Sequence, residues 1–545
     1  MNFSIDNRSV LLQKLKGEEF DLLIIGGGIT GAGIALDAAS RGIKTALIEK
    51  NDFAFGTSSR STKLIHGGLR YLKQLEFGLV KEVGSERAIV HRLATHLVIP
   101  EKMLLPLSEK KGLGYWLTSI GLMIYDFLAG VRPKDQRRML SKRKTLKYEP
   151  LLKADDIKGG AIYAEYRTDD ARLTIEIVKK AFEFGATPIS YVKCLNFIEE
   201  SGKVIGANAI DELTNESLTI RAKVVVNAAG PWVDELRDLN KSKSGKRLHL
   251  TKGVHVVVPN EKLPVRQSIY FDVDDGRMIF AIPRGRITYI GTTDTNYTGD
   301  LNDVYASVDD AEYLIKAVNT TFPKVKLQLS DIESSWAGLR PLIHEDGKSA
   351  SQLSRKDEIF ESPTGLISIA GGKLTGYRKM AERIVNLVAK KYLKEKFPVC
   401  FTNRIKLGGN DFRSAKRVAR YIEKLKTNLH AFELPAHTAT YLVHNYGKQS
   451  DVIVNIFHRQ DAGLDHDLRL LQAEVIFTID HEMVTSLQDF FIRRTGLVYF
   501  NSSRVLLYHE AIASLMKSRL GWDQSKLKAE VSSLTQYINY IKQFK

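Results

Sequence analysis

Residues 21–50, DLLIIGGGITGAGIALDAASRGIKTALIEK, constrain the fold more than any other stretch of the chain. An apolar run ends in glycines, a segment with helical Ala/Ile spacing comes next, and a second apolar run ends in an acid. Strand, glycine turn, helix and strand in that order open a parallel, doubly wound sheet. Gly26, Gly28 and Gly31 form the GxGxxG of the turn. The first glycine permits the tight bend, the second lets backbone approach a pyrophosphate, and the third lets helix and strand pack closely. The helix N-terminus offers free N–H groups to phosphate. Glu49, closing the second strand, stands where an acid accepts hydrogen bonds from a ribose. The expected ligand is an adenine dinucleotide.

Two later runs have the same buried character, AKVVVNAAGPW at 222–232 and GLISIAGGKLTGYRK at 365–379. Both end in small residues and a turn, so they are predicted to join the same sheet. Between them, residues 249–295 are β-branched, alternate in places and turn at glycines, the pattern of an antiparallel sheet. From about residue 410 apolar residues recur three or four apart, predicting helices to the end. A chain of 545 residues is expected to divide into two or three domains.

Composition narrows the class. Hydrophobic residues make up 43%, as in an ordinary soluble protein. The N-terminus, MNFSIDNRSVLLQKLKGEEF, carries acids and lacks an apolar signal core, which leads us to expect a cytoplasmic protein. Cys194 and Cys400 form no CxxC, so neither a disulfide framework nor a metal site is expected. A formal charge of +17 attracts anions. No zinc-finger spacing or RNP-like string accompanies it, so nucleic acid is not an expected partner. The segment GLGYWLTSIGLMIYDFLAG, 112–130, is near the length of a minimal span but contains Asp126 and several polar residues. A buried helix is the preferred reading, a helix resting on a membrane surface stays open, and a span is excluded.

FAD and NAD are separated by the chain beyond the second strand. An NAD enzyme continues with further βαβ units, whereas here NDFAFGTSSRSTKLIHGGLRYL intervenes and the sheet resumes far downstream. That layout resembles the glutathione-reductase-type FAD domain in its D-amino-acid-oxidase-like branch. The strings SSRSTKLIHGGLRYL, YRTDDARL, NAAGPWVD, IGTTDTNY, SSWAGLRPLIHE and IAGGKLTGYRKMAE, with the glycine fingerprint, narrow the match. Together they resemble the FAD-dependent glycerol-3-phosphate dehydrogenases of the respiratory type, in order from about residue 20 to 390. The resemblance implies an α/β fold with a discontinuous FAD domain over 18–395. An antiparallel substrate domain is inserted at about 95–150 and 240–335, and an all-helical C-terminal domain covers 400–545.

It also implies chemistry and site residues. Glycerol 3-phosphate presents a phosphate, which needs multiply hydrogen-bonding cations, and a secondary alcohol, which needs a base and a hydride acceptor. Arg70, Arg340 and Arg355 are the phosphate candidates, with Tyr71 adding a hydroxyl. His255 and His66 are the histidines in matched motifs. His255 is preferred as base and His66 as a residue orienting the flavin. Lys373 and Thr375, after Gly371 and Gly372, belong where a helix begins against the flavin and a cation stabilises the reduced ring. Ser58 and Ser59 suit the FAD pyrophosphate, and Lys63 runs beside the flavin.

The implied reaction makes dihydroxyacetone phosphate and passes electrons to a membrane quinone. The enzyme would lie peripherally on the anionic inner face of the membrane. An oxidase releasing hydrogen peroxide shares these motifs and is the nearest alternative. An FAD enzyme acting on amines and a flavin-bound adaptor are more distant ones. A homo-oligomer is compatible with the sequence.

Overall fold

The computed structural model describes residues 2–65, 77–108, 114–128, 136–344 and 357–544. Strand β1 (Phe20–Ile25) runs through the glycine turn into helix α1 (Ile29–Ser40), and the chain returns as β2 (Thr45–Ile48). Small residues let α1 bury almost every position between the helices Asp170–Glu183 and Tyr377–Leu387. Strand β3 (Glu216–Asn227) pairs in parallel with β1, Ile25 opposite Asn227, and β4 (Ile367–Gly371) pairs in parallel with β3. The three glycine-ended runs therefore finish along one edge, as the sequence predicts. Such an edge, outside the carboxyl ends of parallel strands, is where ligands bind in this architecture.

A second, largely antiparallel sheet contains ten strands among the described residues. It is wider than the expected 95–150 and 240–335, because Ile157–Arg167 and Ser334–Ile343 also belong to it. Their partners, Ile99–Ser108 and Leu248–Pro259, are distant in sequence, so local pattern does not reveal the pairing.

The helices beyond Ala415 form a core of their own, yet they are not an isolated body. Phe490, Phe491, Tyr499 and Phe500 share one buried cluster with Tyr289 and Trp336 of the second sheet. Within 112–130 a helix, Gly114–Leu128, buries Leu122, Tyr125 and Asp126 while leaving Ile120 and Met123 about half exposed, 48% and 49%. Among the described residues no helix is long and apolar enough to cross a membrane.

Candidate active site

The glycine turn shapes one end of a cavity of about 1580 Å³. Gly26 has φ +117°, and a Cβ there would meet the Ala228 carbonyl oxygen at 2.6 Å, so only glycine fits between β1 and β3. At Gly31 a Cβ would overlap the Gly26 carbonyl, which keeps α1 close to its strand. Ser58 Oγ accepts from the Ile29 N–H at 2.9 Å at the mouth of α1. The Glu49 carboxylate accepts from the N–H groups of Gly27 (2.7 Å) and Asn51 (2.9 Å) and lines the cavity. Burial pushes its pKa up despite those donors.

Further along the cavity, Gly371 and Gly372 both adopt φ +79°, and a Cβ on Gly372 would meet Met380 Sδ at 2.6 Å. This left-handed pair turns β4 so that Lys373 and Thr375, at the single turn preceding the helix Tyr377–Leu387, line the wall.

The far end is built on the second sheet. His255 and Arg340 stand on neighbouring antiparallel strands, with Thr251 opposite Arg340 and His255 opposite Trp336. Each lies over a glycine: a Cβ on Gly253 would overlap the Arg340 guanidinium, and one on Gly291 would overlap the His255 ring. His255 is stacked on Trp336 at 4.8 Å and 11° between planes, with Nε2 at 2.9 Å from Thr62 Oγ1. Burial, then the Arg340 and Lys63 charges, hold its pKa well below that of an ordinary histidine, so the ring is neutral. Arg340 donates to the Thr293 carbonyl and Asp294 carboxylate (both 3.1 Å) and to Thr292 Oγ1 (2.9 Å), which fixes the guanidinium.

Of the residues expected at the site, Gly26, Gly28, Glu49, Ser58, His255, Arg340, Gly371, Gly372, Lys373 and Thr375 line this one cavity. Gly31 sits behind the turn, as a packing glycine should. Ser59 and Lys63 are placed differently from the expectation. The Ser59 hydroxyl turns inward, donating to the carbonyls of Gly56 and Phe55 at 3.3 and 3.4 Å. The Lys63 ammonium is buried on Asp170 at 2.5 Å, because a cation 2% exposed requires a counter-ion. His66, Arg70, Tyr71 and Arg355 lie outside the described residues.

Sequence reasoning missed Lys50, Trp232, Arg60 and Thr62, all of which line the cavity. Lys50 stands 4.2 Å above the Trp232 ring, a cation–π pair beside Glu49. The signal was present, since Lys50 comes directly after Glu49 and Trp232 closes NAAGPW, but neither has a spacing that stands out.

Comparison with known proteins fits this geometry. Residues 21–377 match the FAD dependent oxidoreductase family, and residues 400–527 match the C-terminal domain of alpha-glycerophosphate oxidase. The chain is 48% identical over 546 residues to the aerobic glycerol-3-phosphate dehydrogenase of Staphylococcus aureus (strain MRSA252), covering 99% of this chain and 98% of that one. The chain belongs to the FAD-dependent glycerol-3-phosphate dehydrogenase family. Its relative of the same name in Bacillus subtilis (strain 168) is 47% identical, with 98% of each covered.

Among solved structures, the family member from Bacillus halodurans, complexed with FAD, superposes with a TM-score of 0.85 at 43% identity over 99% of both chains. The L-alpha-glycerophosphate oxidase of Mycoplasma pneumoniae, 19% identical with a TM-score of 0.56 over 70% of this chain and 97% of that one, shares the fold. The dehydrogenase family's cofactor is accommodated by what this chain presents: a tight glycine turn that admits no Cβ at Gly26, the N-terminus of α1 beside Ser58, and a buried acid, Glu49, held on the turn and lining the cavity. A cavity of about 1580 Å³ also exceeds the roughly 300–1,000 Å³ of a single small-molecule pocket. It leaves room for a dinucleotide and a small substrate together.

Proposed function

We propose that this cavity binds FAD along its length and oxidises sn-glycerol 3-phosphate to dihydroxyacetone phosphate at its far end. The observation that carries the reading is the convergence of a neutral His255, a fixed Arg340 and Lys373 on a cavity that begins at a dinucleotide turn. Gly26, Gly28, Glu49 and Ser58 would hold the nucleotide half, with Lys50 and Trp232 beside the adenosine, and Gly371, Gly372, Lys373 and Thr375 would face the isoalloxazine. FAD, when bound, supplies the acceptor for the hydride leaving the carbinol carbon.

Arg340 takes the phosphate, joined by Arg70, Tyr71 and Arg355. Its guanidinium is already oriented by Asp294 and Thr292, so little side-chain freedom is lost on binding. His255 accepts the hydroxyl proton at Nε2, the nitrogen turned towards cavity-lining Thr62. Burial is the main cause of the depressed His255 pKa; a dianion arriving at Arg340 offsets the smaller part due to positive charge, so the substrate strengthens its own base. Lys373 places positive charge where electron density accumulates.

Electrons then pass to a membrane quinone, with the protein attached peripherally to the inner face of the membrane. The half-exposed Ile120 and Met123 and the charge of +17 support attachment to an anionic surface. A second acceptor, oxygen, is favoured by the match of residues 400–527 to the oxidase C-terminal domain. Two measurements test the proposal. Anaerobic titration with glycerol 3-phosphate should bleach the flavin band, and a spectrum that does not change refutes the substrate. Turnover should be faster with a soluble quinone than with oxygen alone, and rapid peroxide formation assigns the oxidase instead.

A further inference from the structure

The segment after β2 is clamped from an unexpected direction. Residues 49–58 wrap over the glycine turn: Ala54 N–H donates to the Gly27 carbonyl at 3.1 Å, and Phe53 and Glu49 close on Gly27. In the middle of this loop Asp52 is fully buried and turns away from the cavity. It accepts from Arg493 Nε at 2.5 Å and from Arg494 Nη1 and Nη2 at 2.7 and 2.9 Å. Both arginines belong to one turn of the helical C-terminal region, Asp489–Arg494. Arg494 is itself fully buried and donates to the Glu482 carbonyl at 2.9 Å, and Arg493 binds Asp489 at 2.7 Å. Asp489 also accepts from Tyr191 at 2.6 Å, and the Tyr191 N–H holds the Asn51 carbonyl at 3.0 Å.

One carboxylate of the cofactor loop thus receives three charge-assisted hydrogen bonds from residues more than 440 positions away, at sequence separations of 441 and 442. Their strength depends on planar guanidinium geometry, and their burial makes each partner costly to leave alone.

We propose that the helical C-terminal region is a latch on the cofactor loop. Arg493 and Arg494, by binding Asp52, hold residues 49–58 in the shape that presents Glu49 and Ser58 to the dinucleotide. By reciprocity, bound dinucleotide tightens the latch. The three are positioning residues, and the inference rests on reading the cavity as an FAD site.

The test titrates deflavinated protein with FAD, following flavin fluorescence, in the wild type and in Asp52→Asn, Arg494→Gln and Arg494→Lys. Arg504→Gln serves as control, since its partner Asp467, at 2.6 Å, lies within the helical region and away from the loop. We expect FAD to bind about tenfold or more weakly in the Asp52 and Arg494 variants, a shift near 1.4 kcal/mol. Arg504→Gln should lower thermal stability with FAD affinity unchanged. The KM for glycerol 3-phosphate at saturating FAD should match that of wild type throughout. Arg494→Lys keeps the buried charge and serves if the neutral variants do not fold. Hydrogen exchange at 489–494 in wild type should slow on adding FAD. The latch is refuted if folded Asp52 or Arg494 variants bind FAD within twofold of wild type, or if Arg504→Gln weakens FAD equally. Wild-type protein that takes up no FAD refutes the cofactor reading instead.

Discussion

Two glycines and the side chains lying over them set the geometry of the chemical end of the cavity. Gly253→Ala places a methyl where the Arg340 guanidinium lies. We expect it to raise the KM for glycerol 3-phosphate by about tenfold, about 1.4 kcal/mol, with the flavin spectrum retained. Steady-state kinetics on flavin-loaded protein checks this. Gly291→Ala displaces His255 in the same way and should lower kcat rather than raise KM. The depressed pKa of His255 predicts a pH profile as well. A base must be unprotonated to act, and burial and neighbouring cations keep this one so well below pH 6.5. Once the free substrate's own phosphate ionisation at about pH 6 is allowed for, the acid limb of kcat/KM should therefore lie below pH 6.5, and the limb of kcat should lie higher because the bound dianion offsets the part of the depression that neighbouring cations cause. Identical acid limbs near 6.5 would remove His255 from the role.

At the scale of elements, the glycine turn and the three parallel strands were legible because each is written in a contiguous run: apolar residues, then glycine or alanine, then a helix start. The platform of Lys50 on Trp232 was not, since its partners follow the strands on either side of β1 and lie far apart in sequence. Trp232→Leu should weaken FAD binding several-fold while leaving Arg340-dependent KM unchanged, as read by fluorescence titration and kinetics. Lys63 shows the opposite failure. Its place in a motif suggested the flavin, but its ammonium pairs with Asp170, 107 positions away, inside the protein. Motif membership states that a side chain matters without stating which way it points. The cross-strand neighbours of His255 and Arg340 are equally invisible to local periodicity, since register over such separations is set by packing.

At the scale of the molecule, the helical region was legible as helices and illegible as a contact. Its arginines under the cofactor loop and its aromatic residues under Trp336 join surfaces that share no local pattern. His96 marks another part of that junction. It is fully buried, its carbonyl accepts from His444 Nδ1 at 2.8 Å, and its ring approaches Gly447. Burial, then His444 and Arg172, push its pKa down to about 3. The folded state keeps it neutral while the unfolded chain protonates it near pH 6.5, so its contribution is lost as pH falls from there. Relative to wild type, His96→Gln should gain up to about 1.4 kcal/mol per pH unit between pH 6 and 4, measured by denaturant unfolding.

The parallel pairing of β1, β3 and β4 has a consequence for how the protein is made. The turn at Gly26 emerges early, but its wall at Ala228 comes about two hundred residues later, and Lys373 and Thr375 later still. At about 5–20 residues per second of synthesis, a nascent chain carries a half-built cradle for many seconds. On the proposed reading, flavin can be taken up only after Lys373 and Thr375 have been made, so loading follows synthesis of most of the chain.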